Sequence, residues 1–219
     1  ALDILTACSR RGEVLYKPLE REDFLARFFG PDRWGFAARS GDRLVGWIHG
    51  AAQSRFLPGE TAENTPLYLT LLLVAEGFRR QGVGAALLDA LRRAAREAGK
   101  SALTVSGNNP VHLTWLIPGA GGHDHNNAPG VNEDTGGYGY LLSRGFRDVF
   151  HEVSLYMPLS EYRWNPALDA VVERLAAEGI HVGRWQPGMG ERYDGMCDRV
   201  GSEYWRSAIR TELAAWRTG

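Results

Sequence analysis

The chain has 219 residues, 44% hydrophobic and 23% charged, which is ordinary for a globular protein with a sizeable core and leaves room for one large domain or one domain plus a partial second. A formal net charge of −1 argues against a general nucleic-acid binder, whose affinity rests on neutralising many phosphates. The two cysteines, Cys8 and Cys197, stand far apart and supply neither a disulfide framework nor zinc spacing, as expected in a reducing compartment. No apolar run reaches the roughly 18 residues that span a bilayer and the first residues lack a signal-peptide pattern, so a cytoplasmic protein with no membrane partner is expected.

Along the chain, residues 1–29 carry apolar side chains at helical intervals, as at Phe24, Leu25, Phe28 and Phe29, and Gly30-Pro31 stops that pattern. Two extended runs joined at Ser40-Gly41-Asp42 read as a β-hairpin over residues 34–53. "LYLTLLLV" (67–74) is apolar almost throughout and suits a central strand covered on both faces. From Gly84 to Ala98, Leu87, Leu88, Leu91, Ala94 and Ala95 share one helical stripe, and Gly99 closes it. "SALTVSG" reads as a further strand, and "YGYLLSRGF" as a helix ending at Gly145. "FRDVFHEVSLYMPL" alternates as one long strand or two short ones. Between strand and helix, residues 108–137 form an unusually long loop rich in Gly, Pro, Asn and His, a kind of segment that is usually functional or disordered.

The most informative stretch is "VAEGFRRQGVGAALL" (74–88). It lacks the Lys-Ser/Thr pair of a Walker A loop, and Leu87 occupies the slot where a dinucleotide fingerprint needs its third glycine. What remains is a strand, "RRQGVGA", then a helix. Glycines 82 and 84 let the backbone turn tightly and approach a ligand. The N–H groups at the helix start, with Arg79 and Arg80 beside them, suit an anion such as a pyrophosphate.

This stretch resembles the acyl-CoA-binding motif of the GCN5-related N-acetyltransferases (GNAT), R/Q-x-x-G-x-G/A after a strand ending in Val, here Arg79-Arg80-Gln81-Gly82-Val83-Gly84 after Val74. "YLLSRGFRDV" (140–149) is similar to the family's closing helix and the Gly-Phe that opens its next strand. The resemblance covers about residues 1–158 and implies an α/β fold, with a GNAT-like mixed central sheet flanked by helices. It also implies acetyl-CoA as co-substrate, with no metal expected, and an N-acetyltransferase acting by direct attack of an amine. Backbone groups of Leu72, Leu73 and Val74 would then pair with the pantetheine arm. The N–H groups of Gln81, Gly82, Val83, Gly84 and Ala85 would hold the pyrophosphate, with Arg79 and Arg80 adding charge. Asn109 matches an asparagine that often contacts the cofactor in this family, and it reads equally as a turn residue before Pro110.

Direct attack requires a neutral amine, a hydrogen bond to the thioester carbonyl and a proton for the departing thiolate. Backbone N–H at Val74 answers the second need. Many members of the family place a tyrosine four residues before the Gly-Phe, where this sequence has Leu141. Tyr140 is its neighbour, about 100° away around a helix, and is the candidate acid; Tyr138 is near, and a water molecule could serve instead. Base candidates lie in the long loop at His123, Asp124, His125, Glu133 and Asp134, with His125 and Glu133 put first. Trp115, Leu116 and Ile117 could line a pocket for a small amine acceptor. The alternative is a non-catalytic acyl-CoA-binding or regulatory module.

A boundary is expected near residue 160, giving an acyl-CoA-binding domain over 1–159 and a helix–strand–helix α/β extension over 160–219. In the extension, "NPALDAVVERLAAEG" reads as a helix, "IHVGRWQ" as a short strand, and "GSEYWRSAIRTELAAW" as a helix with Ser202 as candidate N-cap. The extension resembles the start of a second such domain in a tandem protein. Equally, it could cover a sheet edge or swap into a partner, so a homodimer is compatible with the sequence.

Overall fold

The computed structural model describes residues 1–219 except 55, 57–58, 107–108, 117–123, 126–129, 152, 154, 156, 185–189, 201–202 and 219. The chain divides into two compact units, Ala1–Ser154 and Leu155–Gly219.

In the first unit, helices α1 (Leu2–Arg10) and α2 (Arg21–Phe28) precede the hairpin β1 (Arg33–Ser40) and β2 (Arg43–Ala51). Strand β3 (Leu67–Val74) follows, then a single 3-10 turn (Glu76–Phe78), helix α3 (Val83–Glu97) and a two-residue strand β4 (Leu103–Thr104). The sheet order is β1-β2-β3-β4, antiparallel except that β3 and β4 run parallel. Helix α4 (Gly136–Ser143) comes after a small ladder of β5 (Trp115–Leu116) and β6 (Asp124–His125).

Each face of the sheet buries its own cluster. Leu5 and Cys8 of α1, with Phe24 and Phe28 of α2, pack on Trp47, Ala51, Leu71, Leu73, Val111 and Leu113. On the other face Leu87, Leu88, Leu91 and Ala95 of α3 pack on Ile48, Leu67 and Leu69. Helix α3 lies close because β2 offers it glycines: a Cβ on Gly50 would come within 2.7 Å of Leu91 Cδ1, and one on Gly46 within 2.9 Å of Leu87 Cδ1.

Strand β3 does not alternate simply. Leu67 and Leu69 face α3, whereas Leu71 and Leu73 face α1 and α2. The register explains the reversal: His49 pairs with Leu71 but the next residue, Gly50, pairs with Leu69, so Thr70 is the extra residue of a β-bulge. The bulge is tied by its own side chains. His49 Nδ1 lies 2.6 Å from Thr70 Oγ1, and that hydroxyl donates to His49 O at 3.3 Å. His49 is fully buried between Phe28 and Trp47, with ring centroids at 4.9 and 5.5 Å.

Three sequence expectations are corrected. Residues 146–158 form no strand among those described, and Val149, Val153 and Leu155 are 85, 81 and 92% exposed. Alternation makes a strand only where a neighbour completes the ladder, and no described strand lies beside this one. "IHVG" (180–183) likewise pairs with no described strand and is exposed, while residues 185–189 lie outside the described set. The described part of the second unit is therefore helical: α5 (Ala167–Ala177), α6 (Gly190–Val200) and α7 (Glu203–Thr218). Helix α6 falls where the sequence read as loop, because Gly and Asp within "GERYDGMCDRV" mask the stripe of Tyr193, Cys197 and Val200. Ser202 lies outside the described residues.

Burial, with the charge of Arg33 second, lowers the His49 pKa from 6.5 to about 4. The unfolded chain then binds one more proton than the fold between those values, so stability is full above pH 6.5 and falls as pH drops towards 4. The expected loss from this group is about 3 kcal/mol. Urea titrations at pH 7 and pH 4 on the parent and on His49→Gln will check it, the variant losing that part of the slope.

Candidate acyl-CoA site

The site begins where β3 outruns its neighbour. β4 pairs with β3 only at Leu67 and Tyr68, so beyond Tyr68 no described strand covers that side of β3. Asn109 helps to turn the chain away. It is buried, its Nδ2 donates to Ser106 O at 2.9 Å, and its Oδ1 accepts from Val111 N–H at 3.0 Å. Both ends of its amide thus close the turn, the second of the two roles its sequence position allowed. Arg27 then pins the departing chain by donating to Val111 O and His112 O at 3.0 and 2.9 Å.

The register states which backbone groups of β3 face the gap. Ala75 N–H donates to Val45 O at 2.8 Å, and Gly46 pairs with Val74. Direction alternates along a strand, so the N–H and C=O of Leu73 turn towards β2, whereas those of Leu72 and Val74 turn to the open side. Of the three residues expected to meet a pantetheine arm through their backbone, Leu72 and Val74 are presented and Leu73 is not.

Next along the chain, the loop sets up an anion cradle. Arg80 and Gly82 both have left-handed backbones, with φ of 60° and 85°. Gly82 caps α3, whose first ladder bond runs from Ala86 N–H to Gly82 O at 3.0 Å. The N–H groups of Val83, Gly84 and Ala85 therefore have no intrahelical acceptor and lie at the positive end of the helix dipole. Gln81 is exposed, and its side chain donates to Gly77 O at 3.0 Å.

The two arginines part company. Arg79 grips Glu13 with both terminal nitrogens at 2.7 Å, and its Nε donates to Val74 O at 3.1 Å. Its Nε and both terminal nitrogens bond to the protein, so a charge contact with the pyrophosphate would compete with Glu13. Arg80 is exposed and has no described hydrogen bond or ion pair, which makes it the available cation.

Tyr140 reaches the same place from α4. A Cβ on Gly84 would lie 3.3 Å from Tyr140 Oη and 3.7 Å from Val74 Cγ2. The hydroxyl is buried with no partner among the described residues, and the Arg144 guanidinium sits 5.3 Å from the ring centroid. Burial raises the phenol pKa against the opposing pull of Arg144, so the group holds its proton at neutral pH. Leu141 packs on the α3 cluster. Tyr138 faces elsewhere and donates to Asp148 at 2.7 Å.

The loop candidates are not brought together with Tyr140 by any described bond. Glu133 is exposed and pairs with His151 Nδ1 at 3.5 Å. The backbone of His125 pairs with Trp115 in the β5–β6 ladder, and that of Asp124 with Leu116. His123 and Ile117 lie outside the described residues. Sequence reasoning passed over Glu13 and His49. A carboxylate just after the first helix carries no motif, but a histidine inside the apolar run "VGWIHGAA" was a visible signal.

A family model for the acetyltransferase (GNAT) family matches residues 2–113, just over half of the chain. The chain belongs to this family. Among similar solved structures, a fungal multi-domain GH3 β-N-acetylglucosaminidase with a GCN5-related glucosamine N-acetyltransferase region matches 98% of this GNAT chain. The TM-score is 0.60 and the identity 19%, and the chain spans 23% of that protein. A mutant of the BH1408 protein from Bacillus halodurans matches 72% of the chain and 88% of its own at a TM-score of 0.50 and 15% identity. An aminoglycoside 6'-N-acetyltransferase complexed with coenzyme A is matched over 45% of this chain and 48% of its own, at a TM-score of 0.35 and 19% identity. At these identities the first two likenesses speak for the fold alone. No curated protein matches the chain. Among the described residues no helix is long and apolar enough to cross a membrane.

The two arginines can be told apart by thermal shift. A ligand at about 100 times its dissociation constant stabilises by about 2.7 kcal/mol, or roughly 5–10 °C for a domain of this size. CoA is expected to raise the Tm of the parent and of Arg79→Ala by that order. Gly82→Glu loses the shift, and Arg80→Ala reduces affinity about tenfold, as loss of one charge-assisted phosphate contact would.

Proposed function

We propose that this GNAT protein transfers the acetyl group of acetyl-CoA to the amine of a small polar molecule by direct attack. The observation that carries the reading is the buried Tyr140 hydroxyl, without a partner among the described residues and set beside Gly84 at the N-terminus of α3. In this reading the pyrophosphate lies on the N–H groups of Gln81 to Ala85 with Arg80 beside it. The pantetheine arm extends β3 through Leu72 and Val74, which brings the thioester to the end of the strand.

The amine lone pair attacks the thioester carbonyl carbon. The carbonyl oxygen gains negative charge, which Val74 N–H meets as a fixed dipole. The C–N bond forms, the C–S bond breaks, and the thiolate takes its proton from Tyr140, whose raised pKa keeps that proton available. The ammonium proton goes to a base, for which Glu133 is assigned first and His125 second. The products are an N-acetylated amine and CoA. The fungal neighbour's description as a glucosamine N-acetyltransferase region makes amino sugars the first acceptors to test.

The test follows free thiol release from acetyl-CoA with glucosamine, an aminoglycoside and a polyamine as acceptors. Acceptor-dependent release is the expected result. Tyr140→Phe should then lower kcat by about 100-fold, the low end for loss of a general acid, with the KM for acetyl-CoA within about threefold. CoA binding with no release for any amine would favour the non-catalytic reading.

A further inference from the structure

Glu13 lies outside every motif, yet three parts of the molecule meet at it. Its carboxylate accepts two hydrogen bonds from Arg79 at 2.7 Å and one from Arg11 at 2.9 Å. Those guanidinium bonds, Arg79 first, hold the Glu13 carboxyl well below the usual carboxylate range, so it stays ionised at any working pH. Its own N–H donates to Cys8 O at 3.0 Å, which anchors it to the end of α1. The residues just after it pair with the wall formed by 114–116: Leu116 N–H donates to Leu15 O at 2.7 Å, Lys17 N–H to Thr114 O at 2.8 Å, and Tyr16 bridges to Trp115.

Arg79 carries this anchorage to the strand end. With both terminal nitrogens fixed by the carboxylate, Nε has one direction left, and it donates to Val74 O at 3.1 Å. That carbonyl is on the open side of β3, the same side as Val74 N–H. No described strand beside Val74 holds it from that side, since β4 pairs no further than Tyr68. The guanidinium therefore does what a neighbouring strand would do: it fixes the peptide plane after Val74 and limits the swing of the N–H before it.

We propose that Glu13 is a positioning residue for the thioester, acting through Arg79 to hold Val74 so that its N–H faces the acetyl carbonyl. The inference rests on the acetyl-CoA reading above and adds a residue to it. Glu13 touches no reacting atom. Its bidentate grip removes the freedom Arg79 would otherwise have to turn towards the pyrophosphate, so the cradle binds CoA with Arg80 and backbone N–H groups while Arg79 serves the strand.

A carbonyl-specific measurement tests this. Free CoA has no acetyl carbonyl, whereas acetyl-CoA labelled with 13C at that carbon reports its hydrogen bond as a lowered stretching frequency in infrared difference spectra. The proteins are the parent, Glu13→Gln and Arg79→Lys, each titrated with CoA and with labelled acetyl-CoA. The expected result is CoA affinity within about twofold in all three and acetyl-CoA affinity down about fivefold in both variants, one ordinary hydrogen bond's worth. The frequency shift should be present in the parent and lost in both variants. A carbonyl shift in Glu13→Gln equal to that of the parent would overturn the assignment. Joint loss of CoA affinity and of Tm in both variants would also overturn it, by making the pair a support of the fold. Should the parent bind neither CoA nor acetyl-CoA, the acetyl-CoA reading itself falls, and the role of Glu13 with it.

Discussion

The site depends on a strand that is longer than the strand beside it. β3 has β2 along its whole length but β4 at only two positions, so the backbone groups at its far end face a gap. A ligand able to pair with Leu72 and with the N–H of Val74 would take the place of water there, while Val74 O already accepts from Arg79. Other features serve to keep the gap open. Asn109 closes the turn that takes the chain off β3, and Arg27 holds the departing segment by two carbonyls. The bulge at Thr70 reverses the faces of the strand, so Leu71 and Leu73 serve the α1–α2 core while Leu67 and Leu69 serve α3.

Charge is distributed accordingly. In the proposed reading the pyrophosphate would rest mainly on backbone, at left-handed residues 80 and 82 and the start of α3, with Arg80 beside it. Arg79, one residue earlier, is tied to Glu13 and belongs to the scaffold. Two adjacent arginines in one motif thus stand differently, Arg79 bonded to Glu13 and Val74 and Arg80 exposed. Tyr140 stands at the same corner and keeps its proton, its pKa raised by burial.

Much of this was legible in sequence. "LYLTLLLV" followed by "RRQGVGA" and a helical stripe specifies strand, turn and helix through chain-local physics: an apolar run, glycines where the turn needs them, and apolar side chains recurring at helical spacing. The separate fates of Arg79 and Arg80 were not legible, because Glu13 is 66 residues away from Arg79 in sequence. Nor was the bulge, since a strand buried on both faces is apolar at every position and carries no mark of which residue is extra. At 146–158 the pattern read as strand and the structure pairs it with nothing described, for alternation states what a strand would bury but not whether a neighbour is there.

By itself the sequence determined the order of the elements from the hairpin to α3 and the class of the fold, since each rests on residues adjacent along the chain. Tertiary structure alone decided which arginine is tied to Glu13, which backbone groups of β3 face the gap, and that the Tyr140 hydroxyl lies beside Gly84. Those depend on register and on contacts between distant segments, where a shift of one residue turns a side chain or a peptide to the opposite side.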